Sequence, residues 1–271
     1  LPPLQNVRGS IFISGDSFHA TASEGLVDLT QLASSQLAEN IAGGGEFASD
    51  PSKQSKLAKV SKAQFYTPKF SAGGGIGKAS FTVEGNVDAL LTAVEVPQIN
   101  ALKRTSFSAQ DFVGTAVADV ELKFPMGRPY KPGSVDFSVS ANLDKFALER
   151  PVFGYKVSDS RLLVDVTPQD IRTMGIGLFN GVALNYEYKT DFRVERDLTT
   201  AGENDPLSSL SLFGSVTPDD LIELRLPKLA PHFDGKVTFN LLLDQYAVQR
   251  TDIRLINLKK KKISKTARIP Q

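Results

Sequence analysis

The feature that most constrains this chain is a long, regular alternation of apolar and polar side chains. Between residues 182 and 194 every even position except Thr190 carries an apolar side chain, namely Val182, Leu184, Tyr186, Tyr188, Phe192 and Val194. Most of the odd positions between them are polar or charged. Because successive side chains of a strand point to opposite faces, the pattern predicts one strand of about a dozen residues, against a usual ~5–6.

The same alternation recurs in several other stretches of the chain. The apolar positions that share one predicted face in two of these stretches are Val120, Leu122 and Phe124, and Val135, Phe137, Val139, Ala141 and Leu143. Turn-forming pairs separate the stretches, and Asn180-Gly181 is the strongest hairpin signal among them. The chain is therefore predicted to be mostly β, with antiparallel neighbours joined by tight turns.

Helical signals are few and short. We expect a helix after Asn86, a helix with Thr217 as N-cap and Pro218 as its first residue, and a single capped turn at Ser108. Residues 29–47 fit a short helix or a hairpin equally well. The order of strand, short helix and strand occurs twice, so we predict one continuous β-rich segment over residues 1–271, with two possible sub-repeats at about 1–130 and 131–271.

A glycine-rich stretch, residues 71–80, resembles a phosphate-binding loop at first sight. The template requires a glycine at the position of Ala72 and a hydroxyl at the position of Ala79. The residues that follow alternate like a strand, whereas the template requires a helix there. We therefore expect a flexible bend between two strands and no nucleotide site.

The composition argues against catalysis, metal binding and nucleic-acid binding. Acidic and basic residues nearly cancel to a net charge of +1, and the chain has no cysteine and two histidines, His19 and His232, without metal or triad spacing. We expect no enzyme, no cofactor and no nucleic-acid partner. The one basic run, Lys259–Lys262, fits either a contact with anionic lipid headgroups or a lysine-protected strand end.

The apolar faces of the predicted strands need a cover, and the chain has too little helix to supply it. Two alternatives follow from periodicity alone. The faces pack on each other in a sandwich or closed barrel, or they line an open apolar trough that requires an apolar ligand. The second alternative predicts a binding protein, and the first a structural or partner-binding module.

The order of motifs resembles the C-terminal region of bacterial AsmA-like proteins, the inner-membrane-anchored family of YhdP and TamB type. Four loose stretches carry the resemblance: "FISGDSFHATASEGLVDL"; "GGGEF" with "GNVDALLTAV" and "GTAVADVELKFPMG"; "VDFSVSANLDKFAL" with "TMGIGLFNGVALNYEYKTDF"; and "LSLFGSVTPDDLIELRLPKLAPHFDGKVTFNLLL" with "TDIRLINLKKKKISKTARIP". The chain departs from the family in its lysine run and in residues 49–70, which read as an insertion.

The resemblance implies a curved, groove-forming sheet of long antiparallel strands with a few short helices. It also implies a periplasmic location, anchorage to the inner membrane by a segment outside this chain, and transport of phospholipids between the inner and outer membranes. Acyl chains would then contact the apolar face at Val120, Leu122, Phe124, Val135, Phe137, Val139, Leu143, Val182, Leu184, Tyr186 and Phe192. The implied partners are phospholipid acyl chains, the rest of the same long chain and membrane-embedded proteins at the groove ends.

Overall fold

A computed structural model describes residues 4–29, 57–69, 75–94, 107–126, 134–152, 154–191, 206–246 and 250–255. Within these ranges the protein is mostly β, with twelve strands whose hydrogen-bonded order follows their order in the chain. The sheet is unclosed, and each pair with a defined register is antiparallel. The prediction of a mostly β, antiparallel fold with a few short helices is therefore confirmed.

The chain divides into two compact units, Leu1–Val139 and Ser140–Gln271. The strands of the first unit are β1 (Leu4–Ser14), β2 (Ser17–Asp28), β3 (Leu57–Thr67), β4 (Ile76–Asn86) and β5 (Phe112–Pro125). Strand β6 (Asp136–Leu148) begins in the first unit and continues into the second. The glycine-rich stretch leads into β4, a strand as expected. A phosphate-binding loop would lead into a helix, so this stretch does not match that template.

The second unit contains the remaining strands, β7 (Val157–Val166), β8 (Asp170–Phe179), β9 (Val182–Asp191), β10 (Ser208–Val216), β11 (Val237–Tyr246) and β12 (Arg250–Leu255). The predicted hairpin at Asn180-Gly181 joins β8 to β9, which pair from Phe179↔Val182 outward. Both turn residues have positive φ, 49° and 88°, as a type I′ turn requires. The Asn-Gly pair is therefore what fixes the register of this hairpin.

Within the described ranges two short helices occur, each between two paired strands. Helix α1 (Val87–Val94) follows β4, and a 3₁₀ turn at Ala109–Asp111 precedes β5. Helix α2 (Pro218–Glu223) follows β10, and a 3₁₀ turn at Ala230–His232 precedes β11. The same element order thus recurs once in each unit, and all three predicted helical segments are confirmed.

The cap of α2 shows why the chain turns at that point. The Asp220 carboxylate accepts hydrogen bonds from the Thr217 backbone N–H at 2.7 Å and from the Thr217 hydroxyl at 2.8 Å. The Asp220 backbone N–H in turn donates to the Thr217 hydroxyl oxygen at 3.2 Å. This reciprocal arrangement satisfies helix-start donors, and Pro218 pre-sets the first helical φ.

Four of the described strands carry an irregularity at a residue with positive φ. These residues are Asn6 in β1, Lys62 in β3, Lys145 in β6 and Asp159 in β7, with φ between 44° and 52°. The register shifts beside Asn6, Lys62 and Asp159. An extra residue of this kind bends its strand and increases the local twist.

Two predictions, the helix-or-hairpin segment at 29–47 beyond Leu29 and the Lys259–Lys262 run, lie outside the described residues.

Candidate functional site

The register of β1 to β5 separates the first unit into an apolar face and a polar face. One cross-strand row on the apolar face consists of Ile11, Ala20, Phe65, Ala79 and Leu122. The next row, on the opposite face, consists of Phe12, His19, Tyr66, Lys78 and Lys123. Directly opposed residues share a face, so these rows show that each face runs across all five strands.

Helix α1 covers one end of the apolar face. Ala89 of the helix is buried against Leu29 and Ala58, and Val83 and Leu90 pack around this cluster. Eight residues of helix rise only ~12 Å, so α1 reaches a limited part of the strands beneath it. The cover therefore ends well before the other end of the face.

Beyond α1 the apolar face of the first unit stays half-exposed. Aromatic rings lie next to one another there, with centroid distances of 5.8 Å for Phe18–Phe65 and 6.1 Å for Phe65–Phe124. On β1, Ile11 and Ile13 of the same face are 68% and 58% exposed. Side chains that were covered by a second layer would be largely buried, so this part of the face meets solvent in the described structure.

Six of the predicted contact residues lie in the first unit. Val120, Leu122 and Phe124 share the apolar face of β5 and are each half-buried. Val135 precedes β6, while Phe137 and Val139 alternate within it with exposed polar residues, and all three are half-buried. Alternation thus puts the three β5 residues on one face of their strand and the two β6 residues on one side of theirs.

Phe18, Phe65 and Phe81 belong to the same apolar face but were not among the predicted contact residues. They lie on β2, β3 and β4, and Phe81 is directly opposite Val120. The alternation in "DSFHATA", "AQFYT" and "ASFTVEG" was the signal that could have identified them. These strands are interrupted by polar and glycine positions, which weakens the period-two pattern in each one taken alone.

The apolar face of the second unit is covered more completely at one end. Val182, Leu184 and Tyr186 of β9 are 5%, 2% and 6% exposed. The row that includes Tyr186 continues through Leu212 and Leu241, both fully buried. These three predicted contact residues therefore lie among the chain's own side chains. Leu143 of β6 is half-buried, and Phe192 lies outside the described residues.

Helix α2 and the turn that follows it close this end of the second unit. Leu221 of α2 and Leu224 just after it are fully buried. The Tyr155 hydroxyl donates to the Leu224 carbonyl oxygen at 3.2 Å, which ties the segment before β7 to the end of α2. Burial raises the pKa of Tyr155 above its usual value, while the Arg225 charge acts in the opposite direction.

The hydroxyl of Tyr186 is a buried polar group at this closed end. Its Oη atom has no hydrogen-bond partner, and the Tyr186 ring lies edge-on to the Phe179 ring with a centroid distance of 5.0 Å. The neighbouring Ser160 hydroxyl donates instead to the Ser158 carbonyl oxygen at 3.1 Å. Burial raises the pKa of the Tyr186 hydroxyl well above its ordinary range, while the nearby Ser160 hydroxyl acts in the opposite direction, so the Tyr186 hydroxyl stays protonated at any physiological pH.

Two shallow depressions lie on the polar faces of the described strands. A depression of about 360 Å³ in the first unit is lined by His19, Tyr66, Lys78, Glu121 and Lys123, among others. A second, of about 480 Å³, is lined by Asn185, Phe213 and Asn240 with their neighbours in the second unit. Within the described ranges no cluster of three or more potential metal ligands occurs. None of the helices seen there is long and apolar enough to cross a membrane.

Comparison with known proteins adds no relative. No family model, no curated protein and no solved structure matches the chain. The resemblance to AsmA-like proteins therefore stays a prediction, and the geometry of the two apolar faces is the structural feature that bears on function.

Proposed function

We propose that this chain provides an apolar sheet face along which the acyl chains of phospholipids are carried between the inner and outer membranes. In this proposal the chain belongs to a periplasmic, inner-membrane-anchored protein and performs no catalysis. The observation that supports it most directly is the half-exposed apolar face of β1 to β5. A lipid tail laid on this face would remove from water both its own surface and that of the side chains beneath it.

The contrast between the two faces indicates which face a lipid tail would contact and where its headgroup would lie. The apolar face presents Phe65, Leu122 and Phe124, while the opposite face presents Lys78 and Lys123. Burial stabilises roughly 0.8 kcal/mol per methylene, so a tail gains most where it contacts the apolar rows. The headgroup would remain in water at the rim, since the apolar row described above has no side chain that could pair with a charge.

Binding of this kind requires no chemical step and no energy source. Each methylene leaves one apolar surface and meets another of the same type along the face, so successive positions differ little in free energy. A molecule can therefore move along the rows without crossing the full cost of exposing its tail to water. The proposal assigns directionality to whatever supplies and removes lipid at the two ends.

The experiment compares two valines of the same strand that lie on opposite faces. Val120 is half-buried on the apolar face, and Val117, 43% exposed, lies opposite Glu84 on the other face. We expect Val120→Asp to abolish binding of a phospholipid that carries a fluorophore on one acyl chain. Val117→Asp introduces the same charge on the same strand and is expected to leave binding unchanged. Lipid extracted from the purified unmodified chain is identified in parallel by mass spectrometry.

The milder change Val120→Thr keeps the β-branched shape and guards against loss of folding in the aspartate variant. It is expected to weaken binding while circular dichroism stays unchanged. Equal binding by the Val120→Asp and Val117→Asp variants, or the absence of any bound lipid in the unmodified chain, would show that this face carries no acyl chains.

A second candidate function, a structural or partner-binding module without a lipid ligand, draws on the second unit. There Leu184, Leu212 and Phe239 are at most 2% exposed, and α2 closes the end of the face. This is the packing of an ordinary core, which needs no ligand. A chain that folds stably, extracts without lipid and tolerates Val120→Asp would favour this function.

A further inference from the structure

The outer edge of β1 is a surface that the proposed function does not use. Among the described strands β1 pairs with β2 on one side and has no neighbour on the other. All eleven residues of the strand are exposed, and Ile11, Phe12 and Ile13 are 68%, 66% and 58% exposed. An unshielded edge with apolar side chains on both faces is a template for a further strand.

The hairpin geometry identifies which backbone groups face outward. Ser14 and Ser17 close a two-residue turn at Gly15-Asp16. The closing pair of such a hairpin exchanges both hydrogen bonds, and hydrogen-bonded pairs alternate with open pairs along the ladder. Phe12 therefore directs its N–H and C=O toward β2, as Ser14 does. Ile11 and Ile13 direct theirs toward the open edge.

We propose that a second copy of this chain pairs with the open edge, antiparallel and centred on Phe12. In this register each Phe12 meets its equivalent across a two-fold axis, and Ile11 of one copy lies opposite Ile13 of the other. The outward backbone groups of Ile11 and Ile13 then form hydrogen-bonded pairs, while Phe12 forms an open pair, as the hairpin phase requires. Ser10 falls opposite Ser14, so like meets like along the whole segment.

The regular ladder that this register extends begins at Gly9, because the pairing of β1 with β2 shifts between Gln5 and Arg8 and again between Arg8 and Gly9. A register centred on Ile11 instead would set Phe12 against Ser10 and Ile13 against Gly9. Between this irregularity and the turn, the segment from Gly9 to Ser14 has no charge and no proline, two of the devices by which edge strands are commonly protected.

The two-fold axis also preserves the apolar face of the first unit. Ile11 and Ile13 belong to that face, and an axis perpendicular to the sheet places the second copy's Ile11 and Ile13 on the same side. The apolar rows of one copy would therefore continue into those of the other. This arrangement follows from the strand edge alone and does not depend on lipid binding.

The test uses the absence of cysteine from the native sequence. In an open antiparallel pair the two Cα atoms lie ~4.5 Å apart, within the range that a disulfide spans. We expect Phe12→Cys to form a disulfide-linked dimer under mild oxidation, roughly tenfold faster than Ser10→Cys, because equivalent Ser10 residues lie four positions apart along the strands. Equal rates for the two variants would overturn the register.

Sedimentation of the unmodified 271-residue chain provides a measurement that does not need a cysteine variant. We expect a reversible monomer–dimer equilibrium. Ile11→Pro removes the outward N–H without touching the ladder to β2, so it is expected to restore the monomer, whereas Ile11→Val is expected to keep the dimer. A monomer at every concentration, a dimer that persists in the Ile11→Pro variant, or open-ended aggregation would each overturn the proposal.

Discussion

A leucine-to-alanine change in each unit measures how far each apolar face is covered. Leu212 is fully buried between Tyr186 and Leu241, so its truncation loses the transfer free energy of three carbons and leaves a cavity, about 3 kcal/mol in total. Leu122 is half-buried on an open face, so the same change loses about half of the transfer free energy and encloses no cavity, about 1 kcal/mol. We therefore expect a difference of about 2 kcal/mol between the two variants.

The assay must report on each unit separately, because a chain of two units need not unfold in one step. Native-state hydrogen exchange of peptides from β10 and β5 gives an opening free energy for each. Leu163→Ala, at a position 50% exposed in the second unit, serves as the control and is expected to change stability by less than about 0.5 kcal/mol. Equal losses at Leu122 and Leu212 would refute the reasoning, because they would mean that both faces are closed cores.

Two further predictions concern single side chains. Tyr186→Phe removes a buried hydroxyl that has no hydrogen-bond partner, so we expect equal or greater stability, by up to about 1 kcal/mol in thermal or urea unfolding; a clear loss would show that the hydroxyl is satisfied. The Thr167 hydroxyl donates a hydrogen bond to the Asp170 carboxylate at 2.7 Å, and this bond lowers the pKa of Asp170, with Arg172 acting in the same direction. The carboxylate therefore stabilises the fold above its pKa in the unfolded chain, and this contribution is lost as the pH falls through its pKa in the folded chain. Thr167→Val is expected to raise the pKa of Asp170 in an NMR titration, and an unchanged pKa would exclude the hydroxyl as the cause.

The sequence determines the strands and faces of this protein more directly than it determines their cover. Alternation places Val120 and Leu184 on the apolar faces of β5 and β9, and both lie there. Although the same pattern places both residues, Val120 is half-exposed and Leu184 is buried. Period two specifies which way a side chain points, whereas its exposure depends on what packs across the sheet. That information lies in long-range contacts, which no local pattern encodes.

The lengths of the helices explain why cover is partial. Helix α1 has eight residues and rises ~12 Å, while β5 has fourteen residues and extends ~46 Å. A helix of that length laid along β5 would shield about a quarter of the strand, and α2, with six residues, is shorter still. In the second unit Leu224 and the 3₁₀ turn at Ala230–His232 extend the cover beyond the helix, and the residues beneath are buried. In the first unit the far end of the apolar face, at Phe18 and Phe124, has no comparable extension among the described residues. An apolar ligand would gain most free energy there, because the side chains that it covers are the ones still in contact with water.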